Sequence, residues 1–309
     1  MNLALEVLGR RDDGYHEVVT VMQTVDLSDR LVLEDATECS LDTVAPGIPT
    51  DATNLALKAA LVLREAAGGS RGVRISLDKR IPVAAGLGGG SADAAAVLVG
   101  LNRLWGLRWP RARLGEVATR LGMDVPFFLT GGLALATGRG EQVERLSGPP
   151  LALVLVNPRF AVPTREVYAG VAPAMYGDGS RTRALTRALG TGRATRVAAS
   201  LYNGLEPVVA GQHPQITQME AALLAAGALG AVMSGSGPTV VGVARSFEHA
   251  RQIRARVTRG SWSCWAVRAL RGPAVRVRGV ALGRGQVARR GTLDPVFGGS
   301  NPPAPTRLE

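Results

Sequence analysis

Cysteine is nearly absent from this sequence. Two residues, Cys39 and Cys264, in a chain of 309 exclude a disulfide framework and a cysteine-rich zinc site. Histidine is as scarce, at three, and His16 has no second histidine near it, so no resident metal ligand set is expected. Aromatic residues make up only 4%, which leaves Ala, Val and Leu to build the core. Long apolar runs are missing too. The longest, Ala221 to Met233, is broken by glycine and falls well short of the ~20 residues of a membrane-spanning helix. Met1 to Arg10 has neither a basic start nor a long apolar stretch and does not read as a signal peptide, so the expected location is cytoplasmic. Lysine is almost missing: of 36 basic residues only Lys58 and Lys79 are lysine. That skew reads as a compositional bias toward arginine. A net charge of +11 suits a polyphosphate ligand or nucleic acid. No basic run is interleaved with aromatics, however, so nucleic acid is not the expected partner.

Hydrophobic residues reach 46%, enough for a sizeable core. Short strands are predicted over Leu3–Val7, Val18–Val25 and Arg30–Leu33. Thr53 is placed to cap a helix from Asn54 to about Ala67, ahead of Gly68-Gly69. Val73, Ile75 and Leu77 alternate with polar residues, as a half-buried strand does. Helices follow at about Ser91–Leu104 and from Pro110 to near Gly122. Leu151–Val156 is an unbroken aliphatic strand that opens a second half. That half holds helices near Thr182–Leu189, Ala194–Tyr202, Ile216–Ala226 and Phe247–Thr258, with strands at Val240–Ala244 and Trp265–Leu270. Strands and helices mix without a steady βαβ period, which points to α+β. The expected division is 1–150, 151–272 and a flexible tail over 273–309. The tail carries six Arg against Asp294 and Glu309.

The chemistry is concentrated from Pro82 to Ala96. Gly86, Gly88, Gly89 and Gly90 stand within five residues, directly before a helical run. Glycine allows positive φ and close backbone approach, and a helix head offers free amides at its positive end, where a phosphate is the natural occupant. Ser91 can cap the helix or donate to a phosphate. The P-loop ending Gly-Lys-Ser/Thr is absent. Asp124, in Gly122-Met123-Asp124-Val125-Pro126, is a candidate base or a turn residue. Met233 to Thr239, with Gly235, Ser236 and Gly237, can give backbone donors to a second anion or form a tight turn. His16, in Gly9-Arg10-Arg11-Asp12-Asp13-Gly14-Tyr15-His16, is a switch, a ligand or a structural hydrogen-bonder.

In this order these segments resemble the GHMP kinase superfamily. Pro82–Ala96 looks like its phosphate-binding motif and Met233–Thr239 like its third, glycine-rich motif. Gly9–His16 and Gly122–Pro126 bring the resemblance, which spans residues 1 to about 272, to the branch acting on 4-diphosphocytidyl-2-C-methyl-D-erythritol (CDP-methylerythritol) in non-mevalonate isoprenoid synthesis. The resemblance implies an N-terminal part like ribosomal protein S5 domain 2 and a ferredoxin-like C-terminal part. It implies transfer of the ATP γ-phosphoryl group to the 2-hydroxyl of the methylerythritol, with Mg2+. Asp124 would take or orient the hydroxyl proton. Pro82, Gly86, Leu87, Gly88, Gly89, Gly90, Ser91 and Ala92 would hold ATP, with Asn54 on the adenine side. Asn2, Tyr15, His16, Thr164, Tyr168, Gly235 and Ser236 would contact the substrate. Other expectations kept open are a homoserine- or mevalonate-type kinase and a basic S5-like RNA-binding protein.

One departure stands out. The family motif Ala-Lys-Ile/Val-Asn-Leu meets this chain at Met1-Asn2-Leu3, which puts its lysine before Met1. The expectation is a natural start further upstream and weak activity without it.

Overall fold

The computed structural model describes residues 1–258, 261–280 and 290–294. The first half runs β1 (Asn2–Arg10), β2 (His16–Gln23), β3 (Arg30–Ala36), β4 (Cys39–Thr43), α1 (Leu55–Ala66), β5 (Gly72–Asp78), α2 (Gly89–Leu104), α3 (Arg111–Leu121), α4 (Val125–Thr130), β6 (Leu133–Thr137) and β7 (Gln142–Arg145). The second half runs β8 (Ala152–Asn157), α5 (Thr164–Ala169), α6 (Ser180–Gly190), α7 (Ala194–Ala198), β9 (Tyr202–Asn203), α8 (Glu206–Gln212), α9 (Gln215–Ala225), β10 (Gly230–Met233), β11 (Val240–Ala244), α10 (Phe247–Val257) and β12 (Ser263–Arg268). Two more strands follow, β13 (Arg276–Val280) and β14 (Arg290–Asp294). The class is α+β, as the sequence implies.

Three sheets organise these elements, in the orders β7-β6-β2-β1-β9, β13-β14-β3-β5-β4 and β10-β11-β8-β12. The third is antiparallel throughout. The aliphatic run of β8 is one of its two inner strands, buried along its whole length. Helices α1 and α2 cover the β3–β5 sheet through small and branched residues, and α3 and α4 pack on them. Ala56, Ala60, Leu63, Ala94, Leu98 and Leu101 are all fully buried, each leucine contributing about 1.5–3 kcal/mol of apolar burial. A further buried cluster joins the halves, with Leu3 and Val21 from the first packing on Leu153, Leu155 and Val241 from the second. Strand β9 pairs parallel with β1 through Ala4↔Tyr202 and Leu5↔Asn203, so the second half completes a sheet of the first.

Several sequence expectations need correction. The α1 cap is Asn54, whose side chain accepts from the Ala56 amide, and not Thr53. Thr53 instead donates to Asp51 in the preceding turn. Helix α2 begins at Gly89, two residues before Ser91. Its cap is Gly88 at φ 67°, without a side-chain bond. The helix from Ala194 ends at Ala198, because Tyr202 gives its backbone to β1. The segment read as a flexible tail contains β13 and β14. β14 pairs with β3, and Val275 and Val277 pack on the core beneath. The alternation Val275-Arg276-Val277-Arg278 is the strand signal that the glycine and proline content obscured. The rest of that expectation, residues 281–289 and 295–309, lies outside the described residues. Among the described residues no helix is long and apolar enough to cross a membrane.

Candidate active site

The glycine-rich loop is placed by its backbone. Gly86 has φ 71° and Gly88 φ 67°, a region that L side chains rarely adopt. A Cβ on Gly86 would stand 2.1 Å from the Ser234 carbonyl oxygen, and one on Gly88 2.8 Å from the Phe128 ring. The first bond inside α2 runs from the Ala92 amide to the Gly88 carbonyl at 2.9 Å. The amides of Gly89, Gly90 and Ser91 therefore have no acceptor one turn back, and they face the cleft at the positive end of a sixteen-residue helix. Ser91 is no cap; as the third helical residue it turns its side chain to the cavities.

The third glycine-rich segment braces this loop. Ser234 Oγ donates to the Gly86 carbonyl at 2.7 Å and accepts from the Asn2 amide at 3.1 Å. Asn203 Nδ2 donates to the carbonyls of Met233 and Gly235 at 2.7 and 2.8 Å. The Glu206 carboxylate accepts from the Met233 amide at 2.8 Å. Gly235 and Ser236 line the same cavity as the first loop.

Beneath the loop lies an ion cluster that no sequence motif marks. Lys79 donates to Asp29 and stands 3.1 Å from Asp93, all three side chains nearly buried. Asp29 also accepts from the amides of Arg80 and Ile81, at 2.6 and 2.9 Å. Burial raises the Asp93 carboxyl above the ordinary range, Lys79 pulls it down and Asp29 pushes it up again. The available signal was composition, since Lys79 is one of only two lysines in an arginine-dominated chain.

Two cavities open on either side of this framework. The first, about 490 Å³, runs from Asn54 and Lys79 along the glycine loop to Asp124. Asn2 lies here, its Nδ2 donating to Thr20 Oγ1 at 2.8 Å. Pro82 and Leu87 line it as well, whereas Ala92 packs against the core. Asn54 is partly committed, donating to the Pro49 carbonyl at 2.8 Å while it caps α1. The second cavity, about 980 Å³, is lined by Arg10, Tyr15, His16, Arg139, Arg165 and Tyr176 among others. His16 faces Tyr168 with ring centroids 5.4 Å apart and Tyr176 edge-on at 6.5 Å. Burial, and then the Arg10 charge, hold the His16 imidazole below its ordinary pKa. Tyr15 is half exposed, with the Arg139 guanidinium 5.2 Å from its ring centre. Tyr176 was not foreseen; nothing near it in sequence marks it.

Ser91, Asp124, Thr164 and Tyr168 line both cavities. Asp124 precedes α4 without capping it, so its carboxylate is free to face the cleft. The protein packed around that cleft floor pushes its pKa up, and the Met1 amino group pulls it down. That amino group is buried, donates to the Gln23 carbonyl at 3.1 Å and is lowered to about 6 by burial. Thr164 and Ser236 hydroxyls meet at 2.9 Å across the cleft. Chemically, the arrangement offers an anion seat at a helix head, a carboxylate beside it and an aromatic pocket beyond.

Among the described residues no three His, Cys, Asp or Glu side chains gather as a metal site. A magnesium ion carried by nucleotide phosphates needs only one or two protein oxygens, and Ser91 and Asp124 beside the anion seat fit that demand.

Comparisons with known proteins show the family. The model for the GHMP kinases N terminal domain matches residues 54–132, and that for GHMP kinases C terminal matches residues 185–262. A 4-diphosphocytidyl-2-C-methyl-D-erythritol kinase of Pelotomaculum thermopropionicum is 49% identical over 84% of this chain and 91% of its own length. The same-named protein of Symbiobacterium thermophilum is 47% identical over 87% and 97%. A crystal structure of 4-(cytidine 5'-diphospho)-2C-methyl-D-erythritol kinase superposes with a TM-score of 0.75 at 39% identity, over 87% of this chain and 96% of that one. A homoserine kinase from Cytophaga hutchinsonii, at 22% identity and a TM-score of 0.65 over 88% and 94%, shares the fold.

Proposed function

The chain belongs to the GHMP kinases, among the 4-diphosphocytidyl-2-C-methyl-D-erythritol kinases, and from that premise we propose how its two cavities divide one phosphoryl transfer. ATP lies in the first cavity with its phosphates on the Gly89–Ser91 amides and its base toward Asn54. CDP-methylerythritol lies in the second, its cytosine against His16 and Tyr168 and its 2-hydroxyl at Asp124. The observation that carries this reading is the wall of four residues common to both cavities. Phosphoryl transfer proceeds through a loose, in-line transition state, so placing donor and acceptor on either side of one carboxylate supplies most of what the reaction needs.

The residues act as follows. The α2 amides and helix dipole stabilise the phosphate oxygens as charge shifts. Asp124 accepts the proton of the attacking hydroxyl, and the protein around the cleft floor raises its pKa from the ordinary carboxylate value toward that task. Mg2+, held by the phosphates with Ser91 and Asp124, would neutralise phosphate charge. The neutral His16 imidazole offers one donor and one acceptor to a pyrimidine edge. The Thr164–Ser236 hydroxyl contact ties the head of α5 to the third glycine-rich segment.

A substrate panel tests this. With ATP, the chain is expected to phosphorylate CDP-methylerythritol and to leave homoserine and mevalonate unmodified; turnover of either alternative at a comparable kcat/KM contradicts it. The homoserine kinase likeness carries the fold alone, and the RNA-binding reading is not favoured.

A further inference from the structure

Of the three arginines that line the second cavity, Arg139 is neutralised nearby, pairing with Glu141 at 3.2 Å. Arg11, next to Arg10 in sequence but outside that lining, pairs with Asp13 at 3.2 Å and with Glu17. Arg10 and Arg165 differ: both line the cavity, and neither makes an ion pair or a side-chain hydrogen bond among the described residues. Among the described residues the only carboxylate lining that cavity is Asp124. Two unpaired guanidinium groups therefore line a space whose single carboxylate pairs with neither of them.

Their placement is fixed by the fold. Arg10 and His16 are register partners across the β1–β2 hairpin, so their side chains leave the same face of the sheet. Arg165 stands three residues before Tyr168 on α5, hence on the same helix face, and directly after Thr164 in the wall shared with the first cavity. The two arginines thus reach the cavity beside the His16–Tyr168 ring pair, one from the sheet and one from the helix. A ligand whose base meets those rings and whose other end reaches Asp124 lies in the cavity that both arginines line.

Resting on the two-cavity reading above, we infer that Arg10 and Arg165 form a clamp for the diphosphate of the substrate, and that this clamp distinguishes a cytidine diphosphate ester from cytidine or a free polyol. Each phosphate of such a diester carries one negative charge at neutral pH. A guanidinium fork matches its paired oxygens better than an ammonium would. The clamp is a binding and specificity device and takes no part in proton or phosphoryl transfer.

Calorimetric titration of the full chain with cytidine, CMP and CDP tests the assignment. The unaltered chain is expected to bind CDP more tightly than CMP, and CMP more tightly than cytidine. Arg10→Gln and Arg165→Gln each weaken CDP binding by roughly tenfold, the scale of one charge-assisted hydrogen bond. Cytidine affinity is unchanged in both, and Arg165→Lys recovers only part of the loss. In turnover of CDP-methylerythritol the loss falls on KM more than on kcat. Arg251→Gln, whose partner is Glu248 on α10, changes neither affinity. Equal weakening of cytidine and CDP, or no weakening of either, overturns the clamp. A chain that phosphorylates CDP-methylerythritol yet binds CDP no better than cytidine keeps the kinase reading and loses the clamp. A chain that binds no cytidine compound and transfers no phosphate loses both.

Discussion

Asp124 is where local chemistry is most exposed to test. Asp124→Asn keeps the shape of the cleft but removes the proton acceptor. Its kcat is expected to fall by about 10²–10⁴, the usual contribution of a positioned base, while the affinity for ATP, measured by calorimetry, stays nearly the same because the phosphate seat is built from backbone amides. An unchanged kcat would remove Asp124 from the chemistry. The two lysines make a second contrast. Lys58 is exposed on α1, whereas Lys79 compensates Asp29 and Asp93 in a nearly buried site. Lys79→Ala is expected to cost about 3–5 kcal/mol in urea unfolding, because it strands buried charge. Lys58→Ala stays within about 0.5 kcal/mol. Residues whose role depends on immediate neighbours were legible in the sequence: Gly86 to Ser91 at a helix head, Tyr15 and His16 after a turn, Asp124 between apolar segments. Lys79 was not, because its partner Asp29 lies fifty positions away and only folding brings the two together. Tyr176 and the Arg10–Arg165 pair escaped for the same reason.

Elements show which signals prevail. Periodicity placed α1, α2, α3, β5, β8 and β11 to within a few residues, since each buries one continuous apolar face. It missed β4 and β6, which are short and pair with strands distant in sequence, and β7 and α4, four and six residues long, which are too short to show a period. Helix α9 also carries a pH response. Glu220, beside Glu206 at the start of α8, is raised from 4.5 to about 8, by burial first and then by its carboxylate neighbour. A carboxyl with a raised folded pKa holds its proton more tightly in the native state, so its stabilisation is complete below pH 4.5 and is lost as pH rises toward 8. Glu206 also accepts from the Met233 amide, which places this response at the brace of the glycine loop. Glu220→Gln is expected to flatten the fall in Tm between pH 5 and 8; parallel Tm profiles for the two chains would contradict the shared proton.

On the scale of the whole molecule, the cleft exists because two halves share one sheet and one core. The β1–β9 pairing and the Val25↔Ala269 bridge cross between them. Leu3, Leu153 and Val241 are fully buried in the cluster that joins them. Thermal unfolding is therefore expected to give one cooperative transition, and Leu153→Ala should lower its midpoint, at a cost of about 2–5 kcal/mol. Two separate transitions would mean that the halves are stable apart. The central claim is that ATP and an alcohol meet across a single wall and react directly. Transfer from ATP made chiral at the γ-phosphorus with oxygen isotopes measures this most simply: the account predicts inversion of configuration in the phosphorylated CDP-methylerythritol, and retention, which requires a phosphorylated side chain as an intermediate, would contradict it.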